Sequence, residues 1–316
     1  MEESQVRQIR KSSRSLAREW KLVANRADQR GLTVPEAHAL LELSTNKALS
    51  VQAIADMLLI DKSNASRALA SLGQQGLVGF TANKKDRRAK DVSITNSGRE
   101  RVEHVHAEAD ELVGGALELL SPEEQDKVEE GLKTYAKALR YHRLQKDFSI
   151  RPIMVEDNPA VADIIRNVSD EYGLRAEDGY AVGDPAVDSM FETYAAEGSI
   201  YWVVVKDDRI VGGGGIGPLQ GASGELCELQ KMYFLPECRG KGLGRRIVLK
   251  ALDFARNFGY EACYLETNHQ LREATSLYET LGFTRQECAL GDTGHCICEL
   301  HYLYRFTNNK KNSPTP

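Results

Sequence analysis

Apolar residues recur at helical spacing through most of the first half of the chain. One face of residues 2–27 carries Ile9, Leu16 and Trp20, which predicts a first amphipathic helix. Residue types that commonly start helices stand before three further patterns of the same kind. The three shorter helices are therefore predicted to begin behind Thr33, Ser50 and Asp61.

Two runs of alternating apolar and polar residues then predict an antiparallel hairpin over residues 77–81 and 91–95. The tip of this hairpin, residues 83–90, holds five basic side chains. Two long helices are predicted to follow, over residues 97–120 and 122–145. Few other predicted elements of the same chain could pack against helices of this length. This favours pairing with a second copy of the chain.

The second half changes to strands that alternate with helices. Four consecutive glycines, residues 212–215, lie inside one predicted strand. Because no helix follows them, we interpret them as a bulge or a close backbone contact and not as a phosphate loop. Residues 173–198 are polar and are predicted to be irregular. The predicted strands are 148–154, 199–205, 209–216, 225–235, 261–267, 284–290 and 295–305, and the predicted helices are 159–172, 245–255 and one that holds Ala274, Leu277 and Tyr278.

A chain of 316 residues is long for one domain and suggests two, each large enough for its own core. Residues 146–149 carry neither the helical pattern before them nor the alternation after them. We therefore predict a first domain over residues 1–146, a second over 147–306 and a disordered tail over 307–316. The formal net charge of −5 gives no whole-chain indication of nucleic acid binding. No apolar run is long enough to span a bilayer and the N-terminus is polar, which predicts a cytoplasmic protein without a membrane partner.

All six cysteines lie in the second half, and no two of them form a Cys-x-x-Cys pair. Cys296 and Cys298, near His295 and His301, suggest metal ligands at first sight. Strand alternation, however, places His295 on the opposite face from both cysteines. We therefore interpret the cysteines as small apolar strand residues in a reducing compartment and predict no metal.

The helix behind Asp61 presents short polar side chains and one arginine near its N-terminal end. Residues of this kind suit a helix that enters the major groove of DNA and contacts phosphates and base edges. The basic hairpin tip is either a solvated loop or a source of contacts to the phosphates or the adjacent minor groove. The candidate DNA-binding residues are Ser63, Asn64, Ser66 and Arg67 on the helix and Lys84, Lys85, Arg87 and Arg88 on the tip.

Several motifs in this half resemble the MarR family of bacterial regulators. They are residues 53–58, 63–67, 76–78, 86–88 and 94–99. The resemblance covers essentially residues 1–145 and implies a mainly α winged helix-turn-helix fold. It also implies a homodimer, held by the terminal helices, that binds a palindromic operator in double-stranded DNA.

Three alternating glycines stand between an apolar run, residues 229–235, and an amphipathic helix. In such a strand-to-helix turn, backbone N–H groups and the helix N-terminus attract anions, and basic side chains add charge. These features predict a multiply charged phosphate ligand. The spacings of a Walker loop and of a dinucleotide fingerprint are absent, and an ordinary basic turn is the remaining alternative. The turn and the residues after it comprise Arg239, Gly240, Lys241, Gly242, Leu243, Gly244, Arg245 and Arg246.

The sequence from Glu228 to Gly244 resembles the acetyl-CoA-binding core of the GCN5-related N-acetyltransferases, the GNAT family. The resemblance covers residues 149–306 and implies an α/β (α+β) fold with a mixed, mostly antiparallel sheet. It implies acetyl-CoA as the acetyl-donor cosubstrate, with the pyrophosphate of coenzyme A held by the amides of the turn. It further implies that backbone groups of Met232 and Phe234 contact the pantetheine arm and that Asn268 hydrogen-bonds to this arm.

Two residues of this half resemble the family's catalytic groups. Glu228 precedes Arg239 by eleven residues, an offset similar to that of the glutamate that acts as general base in some members. A carboxylate paired with a cation at a strand end, and a base that acts through water, are the alternatives. Tyr278, within residues 277–283, is similar to the tyrosine that protonates the leaving thiolate, and a buried core tyrosine is the alternative.

Little in the sequence identifies the acetyl acceptor. The acidic residues within 173–198 either hold a cationic amine or are simply solvated, and Tyr180, Tyr201 and Trp202 are candidate pocket walls. The two resemblances together predict a bacterial MarR-type regulator that also transfers acetyl groups to a small-molecule amine, by direct attack of the amine on the thioester. The alternative is a regulator whose GNAT half only senses acetyl-CoA or an amine.

Overall fold

The computed structural model describes residues 3–28, 31–83, 90–175, 181–222, 224–291 and 299–306. The chain divides into two compact units, Met1–Glu130 and Gly131–Pro316. The functional boundary placed between residues 146 and 147 stays a prediction. The predicted tail and the tip residues Lys84, Lys85, Arg87 and Arg88 lie outside the described residues. Within the described ranges, no helix is both long enough and apolar enough to cross a bilayer.

The first unit is mainly helical. Its three strands form one antiparallel sheet in the order β1-β3-β2, which confirms the predicted hairpin and adds the two-residue strand β1 that was too short to show a pattern. The elements are α1 (Glu3–Asp28), α2 (Val34–Thr45), β1 (Leu49–Ser50), α3 (Val51–Leu58), α4 (Lys62–Gln74), β2 (Val78–Ala82), β3 (Lys90–Ile94) and α5 (Asn96–Leu117), followed by the first part of α6 (Pro122–Leu144).

Capping side chains start the short helices where the sequence predicts. The hydroxyl of Ser50 accepts the Ala53 N–H at 3.1 Å at the start of α3. The carboxylate of Asp61 accepts the Asn64 N–H at 2.8 Å at the start of α4. These helices and the sheet share one core. One face of α4 packs into this core, and the opposite face is exposed. The core is built from Leu40, Leu43, Ile54, Leu69, Leu72, Val78 and Val92.

The second unit is built around a seven-stranded sheet in the order β4-β5-β6-β7-β8-β10-β9. Among the described strand pairs only β7 and β8 run parallel, which confirms the mixed, mostly antiparallel sheet. The elements are the rest of α6, then β4 (Phe148–Pro152), α7 (Asn158–Glu171), α8 (Met190–Thr193), β5 (Ile200–Lys206), β6 (Arg209–Pro218), β7 (Leu226–Phe234), α9 (Leu243–Phe258), β8 (Ala262–Thr267), α10 (Arg272–Thr280), β9 (Thr284–Gln286) and β10 (Leu300–Arg305).

Helices cover both faces of this sheet. Side chains on alternate positions of β5 point to opposite faces, and they belong to two separate cores. Trp202 and Val204 pack with residues of α9, such as Ile247. Tyr201 and Val203 pack with residues of α7. The sheet is therefore the middle layer between α9 and α7.

The segment 173–198 is less irregular than predicted. Between its polar residues it contains two short 3-10 turns, Ala181–Gly183 and Pro185–Ser189, and the helix α8. Three of its side chains enter the core on the α7 side of the sheet. Their spacing of three and four residues is that of one helix face, a short pattern that the sequence prediction missed. They are Val187, Met190 and Tyr194. The four glycines lie within β6 beside a register shift, as the sequence indicates.

Candidate active site

The strands β7 and β8 separate in the middle of the sheet. Their pairing ends where Glu228 lies opposite Tyr264, and no later pair joins them in the part of the chain that the structure describes. Beyond that point β7 continues to Phe234 and β8 continues to Thr267. Both diverging segments line a cavity of about 750 Å³. The separation of two parallel strands thus creates the site.

Most of the residues predicted to bind acetyl-CoA or to catalyse line this cavity. Lys241 does not belong to the lining, and its ammonium group instead donates a hydrogen bond to the carbonyl of Glu237. The predicted residues that the structure brings together are Glu228, Met232, Phe234, Arg239, Gly240, Gly242, Leu243, Gly244, Arg245, Asn268 and Tyr278.

The glycine turn between β7 and α9 has the backbone geometry of an anion site. Gly240 and Gly242 have φ values of 70° and 76°, in the left-handed region that favours glycine. Gly242 is also the N-cap residue of α9, so the first N–H groups of the helix, from Leu243 onward, have no carbonyl partner within it. These N–H groups and the partial positive charge of the helix end are suited to a phosphate.

Arg239 is held by the protein's own groups. Its guanidinium donates to both oxygens of the Glu171 carboxylate at 2.6 Å, and its Nε donates to the Phe234 carbonyl at 2.9 Å. These bonds to Glu171 lower the pKa of that carboxyl group. The guanidinium also lies over the ring of Tyr172, 5.3 Å from its centroid. Arg239 therefore joins the turn to the end of α7.

Glu228 is buried, with 5% of its surface exposed, where β7 and β8 separate. Burial, helped by the nearby carboxylate of Glu266, raises the pKa of Glu228 to about 7. Gln230 opposes this rise, because its Nε2 donates to Glu228 Oε2 at 2.6 Å. The Gln230 Oε1 in turn accepts a hydrogen bond from the Tyr194 hydroxyl at 2.9 Å. A carboxyl group with this pKa can accept a proton near neutral pH.

Tyr278 and Asn268 reach the cavity from α10 and from the end of β8. Each is buried, with 6% of its surface exposed. Burial raises the pKa of Tyr278, so its phenol keeps its proton at neutral pH. The Asn268 Oδ1 atom is buried without a hydrogen-bond partner among the described residues. Buried polar atoms are rarely left unpaired, so Asn268 is suited to accept a hydrogen bond from a ligand.

Sequence reasoning missed several polar residues of the cavity, of which Gln230, Tyr194 and Lys231 make the contacts that matter most here. Gln230 follows Glu228 by two positions, and strand alternation alone could have placed both on one face. Tyr194 comes from the segment that was predicted to be irregular. Lys231 has a left-handed φ of 50° beside the register shift, and its ammonium group lies 2.8 Å from Asp184 Oδ2. The hydrophobic pattern of the sequence does not indicate a left-handed residue inside a strand.

The structure also shows the surroundings of two acids of this segment and of the candidate pocket walls. Asp184 pairs with Lys231, and Asp188 pairs with Arg166 at 2.8 Å, so these acids are engaged by cations of the same chain. Tyr201 and Trp202 are buried in the two cores and do not belong to the described lining of the cavity. Tyr180 lies outside the described residues.

The predicted DNA-contacting face of α4 is exposed. Ser63, Asn64, Ser66 and Arg67 all project from the side opposite the core. A chain of hydrogen bonds runs along this face, in which Arg67 donates to Asn64 and Asn64 donates to the cap residue Asp61. The arginine is thereby placed over the N-terminal turn of the helix.

Within the described ranges, no three His, Cys, Asp or Glu side chains are grouped as a metal site requires. Cys296, Cys298 and His295 lie outside those ranges. The described cysteines are free, with Cys227, Cys238 and Cys263 buried and Cys288 exposed.

Comparison with known proteins identifies both halves. A model of the acetyltransferase (GNAT) family matches residues 166–283, and a model of the MarR family matches residues 30–89. The uncharacterized N-acetyltransferase YjgM of Escherichia coli (strain K12) is 51% identical over 154 residues, which are 49% of this chain and 92% of that protein. The uncharacterized HTH-type transcriptional regulator YfiV of Bacillus subtilis (strain 168) is 30% identical over 108 residues, which are 34% of this chain and 68% of that protein.

A more distant relative matches only in part. N-acetyltransferase 8B of Homo sapiens is 32% identical over 116 residues, and the match covers 36% of this chain and 51% of that protein. The chain therefore spans about half the length of this relative. Together with the sheet, the glycine turn and the exposed face of α4, these matches show that the chain belongs to the GNAT acetyltransferase family through its second half and to the MarR family through its first.

Proposed function

We propose that the protein is a DNA-binding regulator that also transfers the acetyl group of acetyl-CoA to a small-molecule amine. The observation that carries the enzymatic part is Glu228, a buried carboxyl group with a pKa of about 7 in the same cavity as the glycine turn. We also propose that the functional boundary lies between residues 146 and 147. We propose that the protein acts in the cytoplasm, because both proposed ligands, DNA and acetyl-CoA, are available there.

The residues of the cavity are suited to the pyrophosphate and the pantetheine arm of acetyl-CoA. The N–H groups of the glycine turn are suited to the pyrophosphate, with Arg245 adding charge beside them. Beyond Glu228, the edge of β7 that carries Met232 and Phe234 faces the cavity and can hydrogen-bond to the amides of the pantetheine arm. The unpaired Oδ1 of Asn268 supplies an acceptor for an amide N–H of the same arm.

Transfer needs a neutral amine and a protonated leaving group. In the proposed reaction Glu228, directly or through one water, removes a proton from the acceptor ammonium. The amine nitrogen then forms a bond to the thioester carbonyl carbon and the carbon–sulfur bond breaks. The phenol of Tyr278, which keeps its proton at neutral pH, gives that proton to the departing sulfur. The new amide nitrogen loses its surplus proton through water to the tyrosinate, which restores the phenol.

The proposed DNA site comprises the exposed face of α4 and the basic residues of the hairpin tip. Ser63, Asn64 and Ser66 can contact phosphates and base edges, and Arg67 can contact guanine or a phosphate. Two copies of α4 would read the two halves of a palindromic operator if the protein is a homodimer. We propose such a homodimer, and α6 supports it because none of its described side chains is buried.

The enzymatic proposal is tested by the release of free coenzyme A from acetyl-CoA. Amino acids, polyamines and aminoglycosides serve as acceptors, and wild type is compared with Tyr278→Phe. We expect amine-dependent release in wild type and a loss of about 10-fold or more in the variant, which lacks the proton donor. Tight acetyl-CoA binding without release for any amine would support a sensor in place of an enzyme.

A further inference from the structure

The helix α6 ends against the glycine turn of the cavity. Its last turns, from Gly131 onward, belong to the same compact unit as the cavity. Tyr141 of α6 lines the cavity together with Gly240, Gly242 and Arg245. Tyr141 precedes β4, the first strand of the seven-stranded sheet, and lies before residues 166–283, the part of the chain that matches the GNAT family model. The site thus receives a side chain from the helix that leads into the sheet.

The ring of Tyr141 packs directly on the N-cap of α9. A Cβ atom placed on Gly242 would lie 2.5 Å from two ring carbons of Tyr141, so only glycine leaves room for the ring. Gln145, one helical turn later, donates from Nε2 to the Lys241 carbonyl at 2.8 Å. Arg246 donates to the Gln145 Oε1 at 3.4 Å. These contacts fix the end of α6, and with it the tyrosine, on the turn.

The surroundings of Tyr141 combine an aromatic ring with positive charge. The ammonium group of Lys137 lies 5.8 Å from the ring centroid, and Arg245 and Arg246 lie in the first turn of α9. An aromatic side chain bordered by cations is the combination that proteins use to hold a nucleotide base next to its phosphates. Within coenzyme A only the adenosine part offers such a base, and it adjoins the pyrophosphate that the turn is proposed to bind.

We propose that Tyr141 forms a wall for the adenosine part of coenzyme A and that Gln145 positions it there. This inference rests on the proposed binding of acetyl-CoA at the glycine turn. In the proposed binding mode the thioester, which Glu228 and Tyr278 serve, is the end of acetyl-CoA opposite the adenosine, so Tyr141 should act on affinity and not on the transfer step.

Binding of two probes separates the adenosine part from the rest. Coenzyme A is titrated into the full chain by isothermal calorimetry, and 4′-phosphopantetheine is titrated by displacement. The second probe lacks the adenosine with its 3′-phosphate and one phosphate of the pyrophosphate. Stacking of an aromatic ring on a base strengthens binding about 10-fold or more. Tyr141→Ala should therefore raise the Kd of coenzyme A about 10-fold. It should leave the Kd of 4′-phosphopantetheine unchanged, and Tyr141→Phe, which keeps the ring, should stay within about 2-fold of wild type.

The matched control is His142→Ala, which removes the neighbouring exposed ring from the same turn of α6. An unchanged or lower Kd of coenzyme A in Tyr141→Ala would overturn the inference, as would an equal loss for both probes. A wild-type protein that binds neither probe would instead overturn the proposed function, so the two failures are distinct. Circular dichroism of each variant identifies a loss that is due to unfolding.

Discussion

At the scale of single residues, the site depends on how three side chains set the proton affinity of one carboxyl group. Burial and the Glu266 carboxylate raise the pKa of Glu228, and the amide of Gln230 and the positive charge of Lys231 lower it. The Tyr194 hydroxyl fixes the orientation of that amide, because it donates to Oε1 and leaves Nε2 to face Glu228. The balance leaves Glu228 near a pKa of 7, where both protonation states are populated.

This balance predicts the pH dependence of acetyl transfer. With an acceptor whose own pKa lies well above the range, kcat/KM in wild type should rise through a pH of about 7 as Glu228 loses its proton. Gln230→Leu removes a hydrogen bond to the charged form, so the pKa of Glu228 should move upward, by on the order of 1 unit. A pH–rate profile of both proteins measures the shift.

Gln220→Leu is the control, since Gln220 lines the same cavity and the described hydrogen bonds to Glu228 come from Gln230. Its profile should keep the wild-type inflection. An inflection in Gln230→Leu at or below that of wild type would show that the Gln230 amide does not stabilise the carboxylate.

At the scale of elements, strong local signals were predictable and tertiary geometry was not. Capping residues gave the starts of α3 and α4, and the alternating glycines gave the turn before α9, because each depends on neighbours within a few residues. The divergence of β7 and β8 after Glu228 depends on contacts with other strands. Tyr194 could not be placed for the same reason, as its ring fits against Gly215 of a different strand.

The site shows the same division. The turn and Glu228 followed from sequence resemblance, whereas Gln230 as a partner of Glu228, and Arg239 as a partner of Glu171, required the structure. The sequence shows a charged side chain in a motif but not the residue that pairs with it, because that residue belongs to a distant element. Tyr141 is the clearest case, because the predicted helix gave no indication that it ends at the glycine turn.

The exposed face of α4 leads to a prediction about DNA. Arg67→Ala should weaken binding to a selected operator duplex about 10-fold, because one guanine or phosphate contact is lost. The affinity for acetyl-CoA should stay at the wild-type value. Fluorescence anisotropy of a labelled duplex at fixed salt measures the first quantity and calorimetry measures the second.

Lys11→Ala removes one basic charge from α1 instead and should change operator affinity much less. Equal losses in the two variants would mean that Arg67 acts only through the overall charge of the protein. A loss of both ligands in Arg67→Ala would point to damage to the fold.

At the scale of the whole molecule, an exposed apolar stripe on α6 predicts a dimer. Val128, Leu132, Tyr135 and Leu139 follow the spacing of a helix–helix seam and are between 40% and 53% exposed. Such a stripe is costly in water and is typical of a surface covered by another helix. Light scattering should therefore give a particle of twice the 35.1 kDa chain mass.

Replacing both Leu132 and Leu139 with Glu should convert this particle to a monomer, because charges would be buried in the seam. Leu249→Glu, at a similarly exposed leucine of α9, should leave the dimer intact. A wild-type monomer, or a double variant that stays dimeric, would place the interface elsewhere or remove it.

The central claim is that the second half is a working acetyltransferase with Glu228 as its base, and one comparison tests it most directly. Turnover and acetyl-CoA affinity are measured together in wild type and Glu228→Gln, with the best acceptor found for wild type. The account predicts an unchanged Kd for acetyl-CoA and a fall in kcat of about 10²- to 10⁴-fold. If Glu228→Gln turned over at the wild-type rate, this would contradict the role of Glu228. The base would then have to be another group of the cavity.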